Sequence, residues 1–275
     1  MSQTGTEAAR YVMGHSDRER RRLALQASIQ QPFTEDLFRR AGITTGMRVL
    51  DLGCGVGDVS LLAARLVGRT GSVTSLDIDE QALDVLRNRA AAEGMVNVKC
   101  VHTDAGSYRP EHRFDAVVGR HILIHMPDPL AVLKACRELL EPRGVVAFQE
   151  YDFGLMSPAY PACPERDRVY GICRDFFSVA VQHDIGRRLF HLMVEAGFEH
   201  PECRGEFPVD GGPDTPFHEW LAEAVRSFLP KAIALKIPGA AAIDMEMLET
   251  RMRQETGPST MVAGPSMFSC FARRK

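Results

Sequence analysis

Two histidines and two acids in the middle of this 275-residue chain have the types and spacing to move a proton. His121 and His125 stand at i and i+4, which would put both imidazoles on one face of a helix. A zinc site can use that spacing. Residue 122 is Ile, however, where the H-E-x-x-H pattern needs its Glu, so no metal is expected. A neutral imidazole can take a proton from a hydroxyl or amine near neutral pH; a packed or hydrogen-bonded histidine is the plainer alternative. Glu150 and Asp152 flank Tyr151 at the end of an apolar run. Acids there could orient a polar substrate group, serve as a base, or simply meet solvent.

A second constellation lies upstream. Val49 to Asp58 reads as a strand, a glycine-rich turn and a helix start, with Gly53, Gly55 and Gly57 at alternate positions. Glycines let a backbone turn tightly and approach a ligand without a Cβ clash, and N–H groups at a helix start favour an anion. The dinucleotide fingerprint G-x-G-x-x-G would need a third glycine at position 58. Asp58 stands there, and a carboxylate is a poor neighbour for a pyrophosphate. Asp77 ends the next apolar run, 24 residues after Gly53, where a carboxylate can accept from both hydroxyls of a ribose or cap a helix.

These residues need a frame. Short apolar runs at 47–52, 72–77, 97–103, 114–119 and 144–150 read as strands, and amphipathic stretches at 58–67, 80–93 and 129–141 as helices between them. That alternation predicts an α/β, doubly wound, mostly parallel sheet with helices on both faces. Upstream, 16–30 reads as one helix and Pro32 opens a second, closed by Gly42. The run Arg18, Arg20, Arg21 and Arg22 reads as a solvated helix face. Downstream come a Pro-rich loop at 151–166, helices at 165–182 and 184–197, a Gly/Pro-rich stretch at 205–217, mostly helix to 256 and a last strand at 266–272. The reading is one domain at 45–275 with cap insertions near 151–183 and 208–256, preceded by a helical N-terminal lid at 1–44.

Composition narrows the partners. Hydrophobic residues at 45% can fill a continuous core, and a net charge of −3 argues against nucleic acid. Seven scattered cysteines without C-x-x-C spacing read as reduced thiols, and no signal core or membrane-length apolar run is seen. The expectation is a cytoplasmic protein acting on a small molecule, without a membrane; a homodimer through the N-terminal helices is not compelled by any feature.

VLDLGCGVGDVS (49–60) resembles motif I of class I, Rossmann-like methyltransferases dependent on S-adenosylmethionine, and SLDID (75–79) resembles their acidic second-strand motif. HTDA (102–105) is similar to the segment that packs on adenine. FDAVVGRHILIHMPDP with LLEPRGVVAF resembles motifs IV to VI of the small-molecule branch. The D/N-P-P-Y/F signature of enzymes that methylate amino groups of bases or protein side chains is missing; Arg120-His121 stands in its place. Arg143 departs from the P-G-G the family often has, in a turn far from the chemistry.

The resemblance implies a seven-stranded sheet whose last strand is antiparallel. It also implies S-adenosylmethionine as cofactor and S-adenosylhomocysteine as product. Asp51, Gly53, Cys54, Gly55 and Arg120 would hold the methionine part, the backbone near Cys54 and Arg120 binding its ends. Asp77 would take the ribose, Ile78 and Ala105 the adenine faces, and Asp104 the adenine amino group. Because 11–19 resembles a lid segment of some bacterial members, Tyr11 and His15 join Tyr151, Phe176 and Trp220 as substrate-facing candidates. Aromatics gathered outside the sheet suit an apolar or ring-containing acceptor or pack the cap helices. The expected reaction is methyl transfer to an O, N or C nucleophile, with His121, His125, Glu150 and Asp152 as candidate bases. The alternatives are a cofactor-binding cyclase or gated binding protein that transfers no methyl group, and an NAD-dependent oxidoreductase disfavoured by Asp58.

Overall fold

The computed structural model describes residues 17–275 apart from residue 156. Its first elements are α1 (Asp17–Ala41), β1 (Arg48–Leu52), α2 (Asp58–Val67), β2 (Ser72–Asp77), α3 (Glu80–Ala92), β3 (Val98–His102) and β4 (Phe114–Arg120). A short 3-10 turn at Leu123–His125 leads to α4 (Pro129–Leu139) and β5 (Leu140–Tyr151). Then come β6 (Ala159–Tyr160), α5 (Pro164–Ala180), α6 (Ile185–Glu195), β7 (Glu199–Glu206) and β8 (Val209–Gly211). The last are α7 (Pro216–Ala234), α8 (Leu248–Glu255), β9 (Met261–Ala263) and β10 (Met267–Arg273).

The described residues fall into two compact units. The sheet unit comprises 31–152, 181–206 and 266–275. It carries seven strands in the order β3-β2-β1-β4-β5-β10-β7; β1 to β5 run parallel, and β10 is antiparallel to both its neighbours. This is the doubly wound sheet, antiparallel at its last strand, that the sequence leads one to expect. One face presents Val49, Val73, Ala116, Val118, Val145 and Ala147 to Leu37, Phe38, Leu62 and Ala63 of α1 and α2. The alternate residues Leu50, Val117, Val146 and Phe148 are equally buried, and α4 packs on β4 and β5, α6 on β5, β7 and β10. Burial on both faces is why these strands read as unbroken apolar runs. Helix starts are fixed by acids where the sequence offers them: Asp79 accepts from Gln81 N at α3, and Asp128 from Ala131 N ahead of Pro129 at α4.

The helical unit holds 153–180, 207–265 and the described residues through Gln30. Its strands β6, β9 and β8 form a small antiparallel sheet. Phe153, Phe176, Phe177 and Phe228 stack in its core, with Phe176 on Phe228 at 4.5 Å between ring centres. Arg166, buried, donates to the carbonyls of Ser157 at 2.8 Å and Ala263 at 2.5 Å and lies over the Tyr170 ring. Among the described residues no helix is long and apolar enough to cross a membrane.

Four local expectations are corrected. One helix, α1, replaces the predicted pair, with Pro32 inside it. A proline removes one backbone donor, but its φ suits a helix, and Leu37 and Phe38 beyond it are buried. No run in the sequence marks the place of the seventh strand, β7, or the small sheet of β6, β8 and β9. Arg22 is buried and donates to Gln26 Oε1 at 2.8 Å instead of facing solvent. Finally, Cys203 and Cys270 face each other across β7 and β10 and form a disulfide, so only five cysteines are free thiols.

Candidate active site

The chain leaves β1 for β2 and β3 on one side and returns to β4 and β5 on the other, so strand order reverses between β1 and β4. In an open α/β sheet a ligand crevice forms beyond the strand ends at such a point. Gly53, Gly55 and Gly57 lie there, all at positive φ. A Cβ at Gly53 would collide with Ile122, and one at Gly57 with Leu86, so both are glycine for packing. A Cβ at Gly55 would meet nothing within 4 Å. Its φ of 51° still favours glycine, but the space above it is open.

The turn is tied from within. Cys54 N donates to Leu76 O at 2.9 Å, Gly57 N to Cys54 O at 2.9 Å and Gly55 N to Asp77 Oδ2 at 2.7 Å. Asp77 also accepts from Asp79 N at 2.9 Å, while the cap of α3 is Asp79. Asp77 is therefore a clamp between a strand end and the glycine turn, with further lone pairs on both oxygens. Asp58 binds Arg89 Nη2 at 2.8 Å, and Arg89 Nη1 donates to Val56 O at 2.6 Å. With these N–H groups engaged and Asp58 at the first residue of α2, the turn is a weak cradle for an anion.

Beneath it, Asp51 is buried and accepts from Ser60 Oγ at 2.6 Å, and Ser60 meets Ser75 at 2.7 Å. Its other oxygen is enclosed without a partner, and burial pushes the carboxyl up to about 7. The buried Cys54 thiol is pushed up well beyond its ordinary range by the same cause. Ile78, just past Asp77, is 61% exposed, unusual for its size. The next strand end carries Asp104, exposed and accepting from Gly106 N at 2.9 Å, with Ala105 beside it. Pairing of Asp77 with His102 brings these two strand ends side by side.

Across the reversal stands Arg120, at the end of β4. The chain then turns sharply: His121 has φ 56°, donates its N–H to Gln149 O at 2.9 Å and stacks its ring on buried Tyr151 at 3.9 Å. The 3-10 turn begins after it, so His121 and His125 do not share a helix face. Burial lowers His125 to about 4, which makes it a poor base. Glu150 is buried; its Oε1 accepts from Ile122 N at 3.0 Å and Leu123 N at 2.8 Å, and Oε2 from Ile124 N at 3.4 Å. It caps the turn from below and is not solvated. Asp152, also buried, is gripped by Arg187 through Nε at 2.7 Å and Nη2 at 2.5 Å.

Burial pushes Glu150 up to about 8 against the pull of its three N–H donors, and this gives a testable pH signature. Stability from a raised carboxyl is full below its unfolded pKa and lost as pH climbs to the folded one. His125 acts oppositely, costing stability only as pH falls below its unfolded value near 6.5. Between pH 6.5 and 8 the fall therefore belongs to Glu150, with Asp51 finishing near 7. Wild-type stability should drop by roughly 2 kcal/mol over that window. Urea midpoints of Glu150→Gln should be much flatter; an unchanged slope would show that another group titrates.

Of the remaining candidates, Phe176 is fully enclosed in the helical unit, and Trp220 is buried with its indole N–H toward Gln26 at 3.5 Å. Both pack that unit. Tyr11 and His15 lie outside the described residues. The sequence reading missed Thr34, Arg89, Gln149 and Arg187. Each meets its partner from a distant element, so no spacing along the chain marks them.

A sheet of this order, with a glycine turn and a strand-end acid at its reversal, defines the Rossmann-like methyltransferase class. The chain belongs to the methyltransferase domain family, whose match covers residues 43–196. It is 31% identical over 140 residues to a demethylmenaquinone methyltransferase of Geobacillus kaustophilus, covering 50% of this chain and 59% of that one. It is 38% identical over 110 residues to a ubiquinone biosynthesis O-methyltransferase of Shewanella pealeana, covering 39% of this chain and 45% of that one. The chain thus spans about half the length of these curated relatives. The YcgJ protein of Bacillus subtilis shares the fold, with a TM-score of 0.58 at 15% identity over 88% of this chain and 99% of that one.

Proposed function

We propose that the protein transfers a methyl group from S-adenosylmethionine to an O, N or C nucleophile of a small apolar or aromatic metabolite, leaving S-adenosylhomocysteine. One observation carries the reading: Gly55 is held open-faced at the reversal of strand order by a clamp to Asp77. The residues fit the cofactor. The enclosed oxygen of Asp51 needs a donor, Asp77 has lone pairs to offer the ribose hydroxyls, and exposed Ile78 offers an apolar surface for one face of an adenine. Ala105 would flank the other face, Asp104 the adenine amino group, and the backbone of Gly53, Cys54 and Arg120 the methionine part.

When bound, the cofactor supplies a methyl group on a sulfonium, open to in-line displacement. The chain's own part is to position the acceptor and to receive its proton. Asp152 is held by Arg187, Glu150 by the backbone of 122–124, and His125 is weakly basic. His121, fixed by its backbone bond and its stack on Tyr151, is the base we favour. Much of the rate would come from orientation. The relatives named above, a demethylmenaquinone methyltransferase and a ubiquinone biosynthesis O-methyltransferase, support an aromatic acceptor. A cytoplasmic setting and a small-molecule partner, not nucleic acid, complete the proposal.

Calorimetric titration with S-adenosylhomocysteine should give micromolar binding, and NADH none. Asp77→Asn, which keeps an oxygen for Gly55 N–H, should weaken binding by about 10-fold to 100-fold, the loss of charge-assisted hydrogen bonds. Binding of NADH in preference would end this reading.

A further inference from the structure

We propose that Cys203 is a thiol-exchange site: a low-molecular-weight thiol opens the Cys203–Cys270 disulfide from the edge of the sheet, caps Cys203 as a mixed disulfide and frees β7. The inference is independent of the cofactor reading above.

Little besides this bond holds β7. Among the described residues it pairs with one strand, β10, and the register slips between Phe271 and Arg273. Every residue from Glu199 to Glu206 is exposed or half-buried, so the strand removes little apolar surface from water. Pro201 has no N–H to give, and His200 sits at φ 50°, a left-handed value unfavourable to a side chain. The ion pairs Arg204–Asp36 at 3.3 Å and Lys275–Glu199 at 3.7 Å are solvent-exposed and contribute weakly. Glu206 meets Arg40 at 3.6 Å, at one end only, and α6 packs on one face. The disulfide at mid-strand is the principal tie.

The two sulfurs differ in access. Cys270 is fully enclosed, and Phe268, on the same face of β10, lies against Gly186 of α6. Cys203 is half-buried on the outer strand. A thiolate attacks a disulfide sulfur from the side opposite the leaving one. For Cys203 that approach comes over the open edge; for Cys270 it would come through the sheet. The incoming sulfur bonds to Cys203, the Cys203–Cys270 bond breaks with its electron pair on Cys270, and Cys270 takes a proton from water. A second thiol can then displace Cys203, so that two thiols are oxidised to one disulfide and the protein bond is reduced by two electrons. A thiol enclosed among apolar groups stays protonated and re-attacks slowly, so the cap on Cys203 persists. Exposed disulfides are the ones a glutathione pool can open.

Glutathione is the probe. Wild type treated with oxidised glutathione and then denatured should offer iodoacetamide five of its seven cysteines. Millimolar reduced glutathione, added to the folded protein, should open the bond and leave glutathione on the peptide bearing Cys203. Backbone hydrogen exchange of 199–206 should then rise by about 10-fold or more, with β1 and β4 unchanged. Cys270→Ser should collect one glutathione at Cys203 from oxidised glutathione, whereas Cys203→Ser should collect none at Cys270. Cys100, the other half-buried cysteine, has its thiol pushed up by burial and should stay unmodified. The wild-type measurements stand alone if Cys270→Ser fails to fold. Seven alkylated cysteines after oxidation, a bond that survives reduced glutathione, an adduct on Cys270 or Cys100 instead, or unchanged exchange in β7 would each overturn the proposal.

Discussion

Arg187→Met should destabilise the protein by about 3 kcal/mol, a large effect for a side chain that is 43% exposed. The reason lies in its partner. Asp152 is enclosed at the end of β5, and Arg187 supplies two guanidinium bonds at 2.7 and 2.5 Å and its own N–H at 3.0 Å. Removing one member of a buried pair leaves an uncompensated charge, typically worth about 3 to 5 kcal/mol. Solvent reaches the guanidinium side, so the lower end applies. The double variant Arg187→Met/Asp152→Asn should recover much of the loss, because the orphaned charge is gone. Urea denaturation of the two single variants and the double one reads the coupling directly. A loss below about 1 kcal/mol in Arg187→Met would show that water solvates Asp152 in its place, and would return that acid to the set of candidate bases.

The glycine turn yields a matched pair with opposite signatures. Gly57→Ala should cost about 3 kcal/mol or more. The new Cβ must adopt a left-handed conformation and displace Leu86, itself fully buried. Gly55→Ala carries only the conformational cost, about 1 to 2 kcal/mol, since its Cβ enters open space. That space is the one assigned to the ligand, so Gly55→Ala should remain folded and lose S-adenosylhomocysteine by more than about 100-fold. Thermal unfolding and calorimetry on both variants separate the cases. Full ligand affinity in a folded Gly55→Ala would mean that the ligand does not pass over this glycine.

The parts of the fold that could be read from sequence are those with a local signal. β1, β4 and β5 announce themselves because burial on both faces leaves each with an apolar run, and the glycine turn because three glycines and two acids stand at fixed spacings. β7 has no such signal. Its sequence EHPECRGE alternates nothing, since it lies at the sheet edge, is mostly exposed or half-buried, and owes its conformation to pairing with β10. The strands β6, β8 and β9 are two or three residues long, too short for any period to register. Pro32 looked like a helix start because proline favours that position, and only the burial of Leu37 and Phe38 beyond it explains why α1 continues.

The site divides along the same line. Asp77 was recognised, but its clamp on Gly55 was not. His121 and His125 were paired on the assumption of a helix that a positive φ at His121 breaks. Glu150 and Asp152 were picked out as acids, whereas their partners, the backbone of 122–124 and Arg187, come from other elements. Cys203 and Cys270 are 67 residues apart and become neighbours only through strand register.

The position of β10 has a bearing on how the chain is made. It lies between β5 and β7 yet follows both in order of synthesis. Until β10 is in place, β5 lacks its neighbour on that side and β7 has no partner in the sheet. Such an edge is a template for pairing with other chains. The sheet therefore closes only when the nascent chain delivers its last strand, which enters between two waiting neighbours. The stage before β10 pairs is therefore the one in which these two edges are open to misassembly.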